Sequence, residues 1–245
     1  YLFAGKGRGR FVFLFAHLIS IMYMTNTWDF IIYITVGFFG FIYVNLLDKG
    51  SFGKAFASAL SDCVKVLAVV LLQCTPYIEN FKNMIGGVGL VSARSPVYQL
   101  LVLWGWQILL GAVFILSLAA RAAKHRRETG KRPCLAEYKK SDVFALILLI
   151  SAVGLVMIPE AVYIKDIYGA TYQRANTMFK LTYQSFIMFG VSSGYIVCSV
   201  LSGIGERAYR AVLAAPLAIL LALPLLYPSR AITGYYGKVS TANYK

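Results

Sequence analysis

The residues with the most chemistry in this sequence lie between Pro159 and Gln184. Glu160, Lys165, Asp166, Arg174, Asn176 and Lys180 interrupt a chain that is otherwise largely hydrocarbon. An ionisable side chain at the centre of a membrane helix costs about 2.5–3.5 kcal/mol on insertion scales, so such groups face a partner or a wet cavity. On a helix that starts near Asn176, the residues Asn176, Lys180 and Tyr183/Gln184 recur at i, i+4 and i+7/i+8 and share one face. Two chemistries fit that stripe. A cationic pocket built on Arg174 and Lys180 would hold an anionic group such as a phosphate, with Asp29, Glu160 or Asp166 as a general base. Alternatively, Lys180 and Arg174 pair with Asp166, Glu160 or Asp29 and only tie helices together.

The candidate catalytic residues are therefore Asp29, Glu160 and Asp166. The candidate binding residues are Asn26, Trp28, Tyr163, Lys165, Arg174, Asn176, Lys180 and Gln184. Asp29 has a plainer reading: Thr25 or Asn26 caps a helix and Asp29 sits in its first turn, opposing the positive end of the dipole. The aromatics Trp28, Tyr163, Tyr168, Tyr172 and Tyr183 suit a sugar or headgroup surface, and equally the aromatic belt at a membrane interface. No metal site is expected. The four cysteines, Cys63, Cys74, Cys134 and Cys198, are scattered without metal spacing, and His17 and His125 are the only histidines. No cofactor is expected; the acidic residues leave a divalent cation open.

The elements that must position these groups are membrane helices. Of the 245 residues, 59% are hydrophobic and only 14% charged, where a soluble domain has roughly a quarter charged. Apolar runs near 11–24, 30–47, 58–77, 97–120, 143–158, 178–200 and 208–227 predict an all-α, polytopic bundle of about seven spans in one domain, each span needing about 20 residues. The runs are continuous rather than alternating, which argues against a β-barrel. Pro216 and Pro224 would kink the seventh span.

The formal net charge of +14 does not indicate nucleic acid, because the basic residues cluster in short loops between apolar runs. The densest is Arg121, Lys124, Arg126, Arg127, Lys131, Arg132, Lys139 and Lys140. With the N-terminal flank Gly5–Arg10 placed in the cytoplasm, two thirds of the 24 lysines and arginines fall on that side, as the positive-inside rule requires. Asp29, Glu79, Glu160 and Asp166 are then expected together on the outer face. Within the third helix, Asp62 and Lys65 are spaced to pair. Residues 78–96 read as a flexible loop; Gly86-Gly87-Val88-Gly89 mimics a nucleotide fingerprint but follows no strand of a βαβ unit. The chain begins at Tyr1 with no signal peptide and reads as a piece of a longer polypeptide. Membrane lipids are the expected partners.

Three stretches resemble one family. They are Thr25-Asn26-Thr27-Trp28-Asp29; Arg94-Ser95-Pro96-Val97-Tyr98-Gln99-Leu100 with Gly105; and Glu160-Ala-Val-Tyr163-Ile-Lys165-Asp166 followed by Arg174-Ala-Asn176-Thr177-Met-Phe179-Lys180. They resemble the YYY (Chlor-Arch YYY) group of large prokaryotic membrane proteins of unknown function. The resemblance implies a longer protein, with further spans before this start and a Leu-Asp-Gly element beyond this end. Its layout is similar to that of the C-type glycosyltransferases, polytopic enzymes that use polyprenyl-phosphate sugars at the outer face. In that likeness Arg174 and Lys180 would bind the lipid phosphate, and Asp29, Glu160 or Asp166 would position or deprotonate the acceptor. Likeness of fold does not establish activity. Three functions therefore stand as expectations: a glycosyltransferase-like enzyme on a lipid-linked sugar, a transporter or flippase with a charged solute site, and a non-catalytic scaffold. No inverted repeat favours transport.

Overall fold

The computed structural model describes residues 8–82, 86–131, 133–166, 172–203 and 226–237, with the single positions 214, 218 and 222. The chain forms two compact units, Tyr1–Ser193 and Gly194–Lys245. Residues 5–7 of the basic flank, Arg132, Tyr168 and most of the expected seventh span at 208–227 lie outside the described residues.

The first three helices form an up-down-up trio, α1 parallel to α3 and α2 antiparallel to both. Helix α1 runs over Arg8–Thr25, α2 over Thr27–Lys49 and α3 over Phe52–Asn80. Asn26 alone separates α1 from α2, with extended backbone at φ −152° and ψ 98°. It occupies the predicted cap position, but its side chain makes no capping bond, and Thr25 Oγ1 turns back to the Ile21 carbonyl at 2.9 Å. Neither side chain caps α2, a correction to the sequence reading. Between α2 and α3, Gly50 takes a left-handed φ of 65° and closes α2 by bonding to Leu46, a conformation that glycine enters without a Cβ penalty.

Helix α3 turns Ala55, Ala59, Cys63, Val66, Val70 and Cys74 inward. That spacing is one helical face, and its small side chains let α1 and α2 approach closely, as membrane helices require where hydrophobic driving force is absent. Ala16, Ile19 and Phe41 fill the facing surface.

Helices α4 (Val97–Thr129), α5 (Lys140–Ala161) and α6 (Ala175–Ser202) complete the long elements. A 3-10 turn over Leu135–Glu137 lies between α4 and α5. Helix α5 buries Ala145, Leu148, Leu149, Ala152, Leu155 and Val156, a stripe at spacings of three and four. Ser185 of α6 donates to the Ala152 carbonyl at 2.8 Å, and Trp104 of α4 packs on Phe189 with ring centres 5.8 Å apart. In the second unit, helix α7 covers Leu226–Tyr236.

Among the described residues there are thus seven α-helices, and five of them, α2 to α6, are long and apolar enough to cross a membrane. Helix α1 misses this standard because Arg8, Arg10 and His17 dilute its 18 residues. Large apolar side chains such as Leu72, Val102 and Leu116 stand exposed. A water-soluble monomer rarely leaves such surface in contiguous patches, whereas lipid tails solvate it without cost.

The helices outrun the apolar stretches that announced them. Helix α4 continues nine residues past 120 into the basic segment, and α5 and α6 each begin three residues early. The fold is all-α as expected, with one short ribbon added among the described residues. Strands β1 (Val88–Leu90) and β2 (Val162–Ile164) pair antiparallel, with Val88 opposite Ile164, Gly89 opposite Tyr163 and Leu90 opposite Val162. The presumed flexible loop is therefore stitched to the end of α5. Bonds from Gly86 N to Lys165 O, Lys165 N to Gly87 O and Val91 N to Ala161 O extend the ribbon at 2.8–3.0 Å.

Candidate functional site

Asn26 to Asp29, the 86–96 segment, the end of α5 and the start of α6 meet at one end of the first unit. Glu160 sits there in the last turn of α5, only 6% exposed. A buried carboxylate needs donors, and it has three. Ser95 N reaches Oε2 at 2.7 Å, Ser95 Oγ reaches Oε1 at 2.8 Å, and Arg174 Nη1 reaches Oε2 at 2.7 Å. Arg174 also donates to the Pro159 carbonyl at 3.3 Å and to Ser95 Oγ at 3.1 Å. Each group satisfies the next, which is the condition for a buried ion pair to be tolerated. The network joins the residue before Pro96, the end of α5 and the approach to α6. It commits the Arg174 fork to protein partners.

On the polar face of α6, Asn176, Lys180 and Gln184 each find a partner outside the helix. Asn176 Nδ2 donates to Asp166 at 2.8 Å, and the neighbouring Thr177 Oγ1 accepts from Ile164 N at 3.0 Å, so the first turn of α6 is fastened to β2. Lys180 Nζ lies 5.8 Å from the centre of the Trp28 ring. Gln184 Nε2 donates to Asp29 Oδ1 at 2.8 Å, while its Oε1 accepts from Tyr33 OH at 2.8 Å.

Of the three acids expected beside a cation, one pairs so and two resolve differently. Arg174 takes Glu160, Asp166 takes the amide of Asn176, and Asp29 takes the amide of Gln184. Lys180 has no carboxylate within 4.0 Å among the described residues. Lys165 gives its backbone to the ribbon while its side chain is exposed, and Tyr163 is buried over Gly89. Glu79 is exposed in the last turn of α3.

Behind Trp28 and the ribbon opens a cavity of about 460 Å³. Its walls include Trp28, Ile32, Ile150, Leu155, Tyr163 and Leu181, from α2, α5, β2 and α6. Ser151 also lines it, and the buried Ser151 hydroxyl has no hydrogen-bond partner among the described residues. Among the described residues no three His, Cys, Asp or Glu side chains gather as a metal would need.

Ser95, Tyr33 and Thr177 belong to this arrangement although residue chemistry alone gave them no role. Tyr33 had a signal, since it follows Asp29 by four residues on α2 and therefore shares its face. Ser95 had a weaker one, as a hydroxyl directly before the proline that opens α4. At the opposite end of the helices the expected Asp62–Lys65 pair forms at 3.2 Å. Asp62 is also met by Arg8 and by Asn45, and Asp142 takes Arg121 at 3.3 Å.

Five long apolar helices, hydrocarbon on the outside and ion pairs gathered at the helix ends define a multi-pass integral membrane protein. The profile of the uncharacterised membrane protein family DUF2298 matches residues 4–136 and 112–189, and the chain belongs to that family. The match encloses every residue of the arrangement from Asn26 to Gln184. No curated protein and no solved structure matches the chain.

Proposed function

We propose that this membrane protein is a glycosyltransferase-like enzyme that acts on a polyprenyl-phosphate-linked sugar at the membrane face where Asp29 and Lys180 lie. The observation that carries this reading is Lys180. Among the described residues, this lysine, about 7.5 Å along α6 from Ala175, meets only the face of Trp28, a contact worth about 2 kcal/mol when desolvated. That is less than the cost of placing an ammonium inside the membrane. A phosphate would supply the missing counter-charge, and the apolar cavity walled by Trp28 offers room for the first part of a lipid chain.

In this reading Lys180 holds the lipid phosphate and offsets the charge that grows on it as the C1–O bond of the sugar breaks. The acceptor hydroxyl forms the new bond to C1, and its proton passes to a carboxylate. Asp29 is the residue for that step, oriented by Gln184. Glu160 and Arg174 hold the ribbon and α4 in place, rather than touching substrate. The likeness in layout to C-type glycosyltransferases and the motifs shared with the YYY group support the same assignment.

A second reading, a non-catalytic scaffold, draws on the complete satisfaction of Glu160 and Arg174. Thermal unfolding in detergent with and without a polyprenyl-phosphate sugar separates the two, together with an assay for sugar transfer. Protection that is lost in Lys180→Met, with the ligand-free melting temperature not lowered, supports the enzyme. Absence of protection and of transfer in the full-length protein leaves the scaffold.

A further inference from the structure

The apolar run of α4 ends at Ala120, and the helix continues to Thr129. Six of its last nine residues are charged or titratable, and four of these find partners. Arg121 is paired with Asp142 at 3.3 Å, Lys124 with Glu128 at 3.8 Å, and His125 with Glu137 at 3.1 Å. Arg126 and Arg127 have no carboxylate within 4.0 Å among the described residues. Both line one open recess of about 630 Å³, whose other walls are Ala122, Ala123, Pro133 and Tyr138. The acids nearby pair with Arg121, Lys124 and His125 and leave two guanidinium groups lining the same space.

We infer that this recess binds the phosphate headgroup of an anionic glycerophospholipid, at the end of the helices opposite Lys180. Its height identifies the source of the phosphate. By helical rise Ala122 lies about 3 Å beyond Ala120, and Arg126 and Arg127 about 9–11 Å beyond. The headgroup layer occupies about 5–8 Å on each side of the hydrocarbon, and arginine side chains reach back several ångströms along apolar surface. Guanidinium forks match phosphate oxygens in a bidentate way that an ammonium cannot. The two alanines keep the floor low enough for a headgroup, and Tyr138 is an aromatic of the kind found at that depth. Capping of the helix dipole by the same arginines uses their charge but no side-chain donor, since Gly130 N closes the Arg126 carbonyl.

The test uses the whole chain in detergent micelles, with native mass spectrometry and thermal unfolding as readouts. Dioctanoyl phosphatidylglycerol is expected to be retained and to raise the melting temperature, while dioctanoyl phosphatidylcholine does neither. Arg126→Gln with Arg127→Gln is expected to weaken the phosphatidylglycerol adduct about tenfold, whereas Lys124→Gln, outside the recess, leaves it unchanged. Arg126→Lys with Arg127→Lys keeps the charge and the fold, and is expected to weaken the adduct through loss of the forks. Equal retention of both lipids, full retention by the lysine variant, or equal loss in Lys124→Gln overturns the assignment. Protection by inorganic phosphate to the same degree also overturns it, in favour of a soluble ligand.

Discussion

Arg174 donates to Glu160 at 2.7 Å, and both also bond to Ser95, 65 residues before Glu160 in sequence. The pair holds the 86–96 segment against the end of α5 and the approach to α6. Removing one member leaves a buried charge without its partner, which is costlier than removing both. Glu160→Ala and Arg174→Ala are each expected to destabilise the protein by about 3 kcal/mol, and the double variant by clearly less than the sum. Unfolding midpoints in detergent for the four proteins of the cycle check this. Additive losses would show that the two side chains act independently.

Ser95→Ala removes one hydroxyl that serves both partners, while the Ser95 N bond to Glu160 remains. The expected cost is about 1–2 kcal/mol, because two hydrogen bonds at a partly buried site are lost. Protease cleavage between residues 81 and 96 should quicken in the same variant. A cleavage rate equal to that of the parent would mean that the serine does not hold the segment.

Gly89 faces Tyr163 across the ribbon, and a Cβ at Gly89 would stand 2.5–2.8 Å from the tyrosine ring. Gly89→Ala is therefore expected to push β1 from β2 and cost about 1–3 kcal/mol, the range for overpacking. Tyr163→Ala in the same chain makes room and should recover part of the loss. Hydrogen exchange at Gly86, Val91 and Lys165 amides, which bond across the ribbon, reports on the pairing directly.

Gln184 bridges Asp29 and Tyr33 with one amide. Gln184→Leu keeps the bulk but leaves a carboxylate and a phenol unsatisfied, at an expected cost of about 1–3 kcal/mol. Gln184→Glu would place a second carboxylate beside Asp29 and should be worse. Rank order of melting temperature, parent above leucine above glutamate, is the check.

Lys180→Met is expected to behave in the opposite way. It removes a cation–π contact of about 2 kcal/mol together with an ammonium that costs about 2.5–3.5 kcal/mol inside the membrane, so stability should hold or rise by about 1 kcal/mol. Binding of a polyprenyl-phosphate sugar should fall at least about tenfold, the value of one charge-assisted contact to phosphate. Calorimetry or a thermal-shift titration distinguishes the two quantities.

The sequence by itself determined the class of protein and the places of its long helices. Hydropathy is a local property, and a run such as Val97–Ala120 is a membrane helix whatever it packs against. It also determined the polar face of α6, since Asn176, Lys180 and Gln184 fall on one side of any α-helix by spacing alone. The helix ends were less legible, because α4 continues through residues that are basic yet still good helix formers. Only the tertiary structure decided the pairings. Glu160 could have met Lys180 or Arg174, and Asp29 had both cations in prospect. The outcome depends on ångström distances between residues 10 to 155 positions apart, which no local pattern encodes. The ribbon is of the same kind: three residues of β1 have no reason to be a strand until the end of α5 brings Val162–Ile164 beside them and their backbone groups find each other.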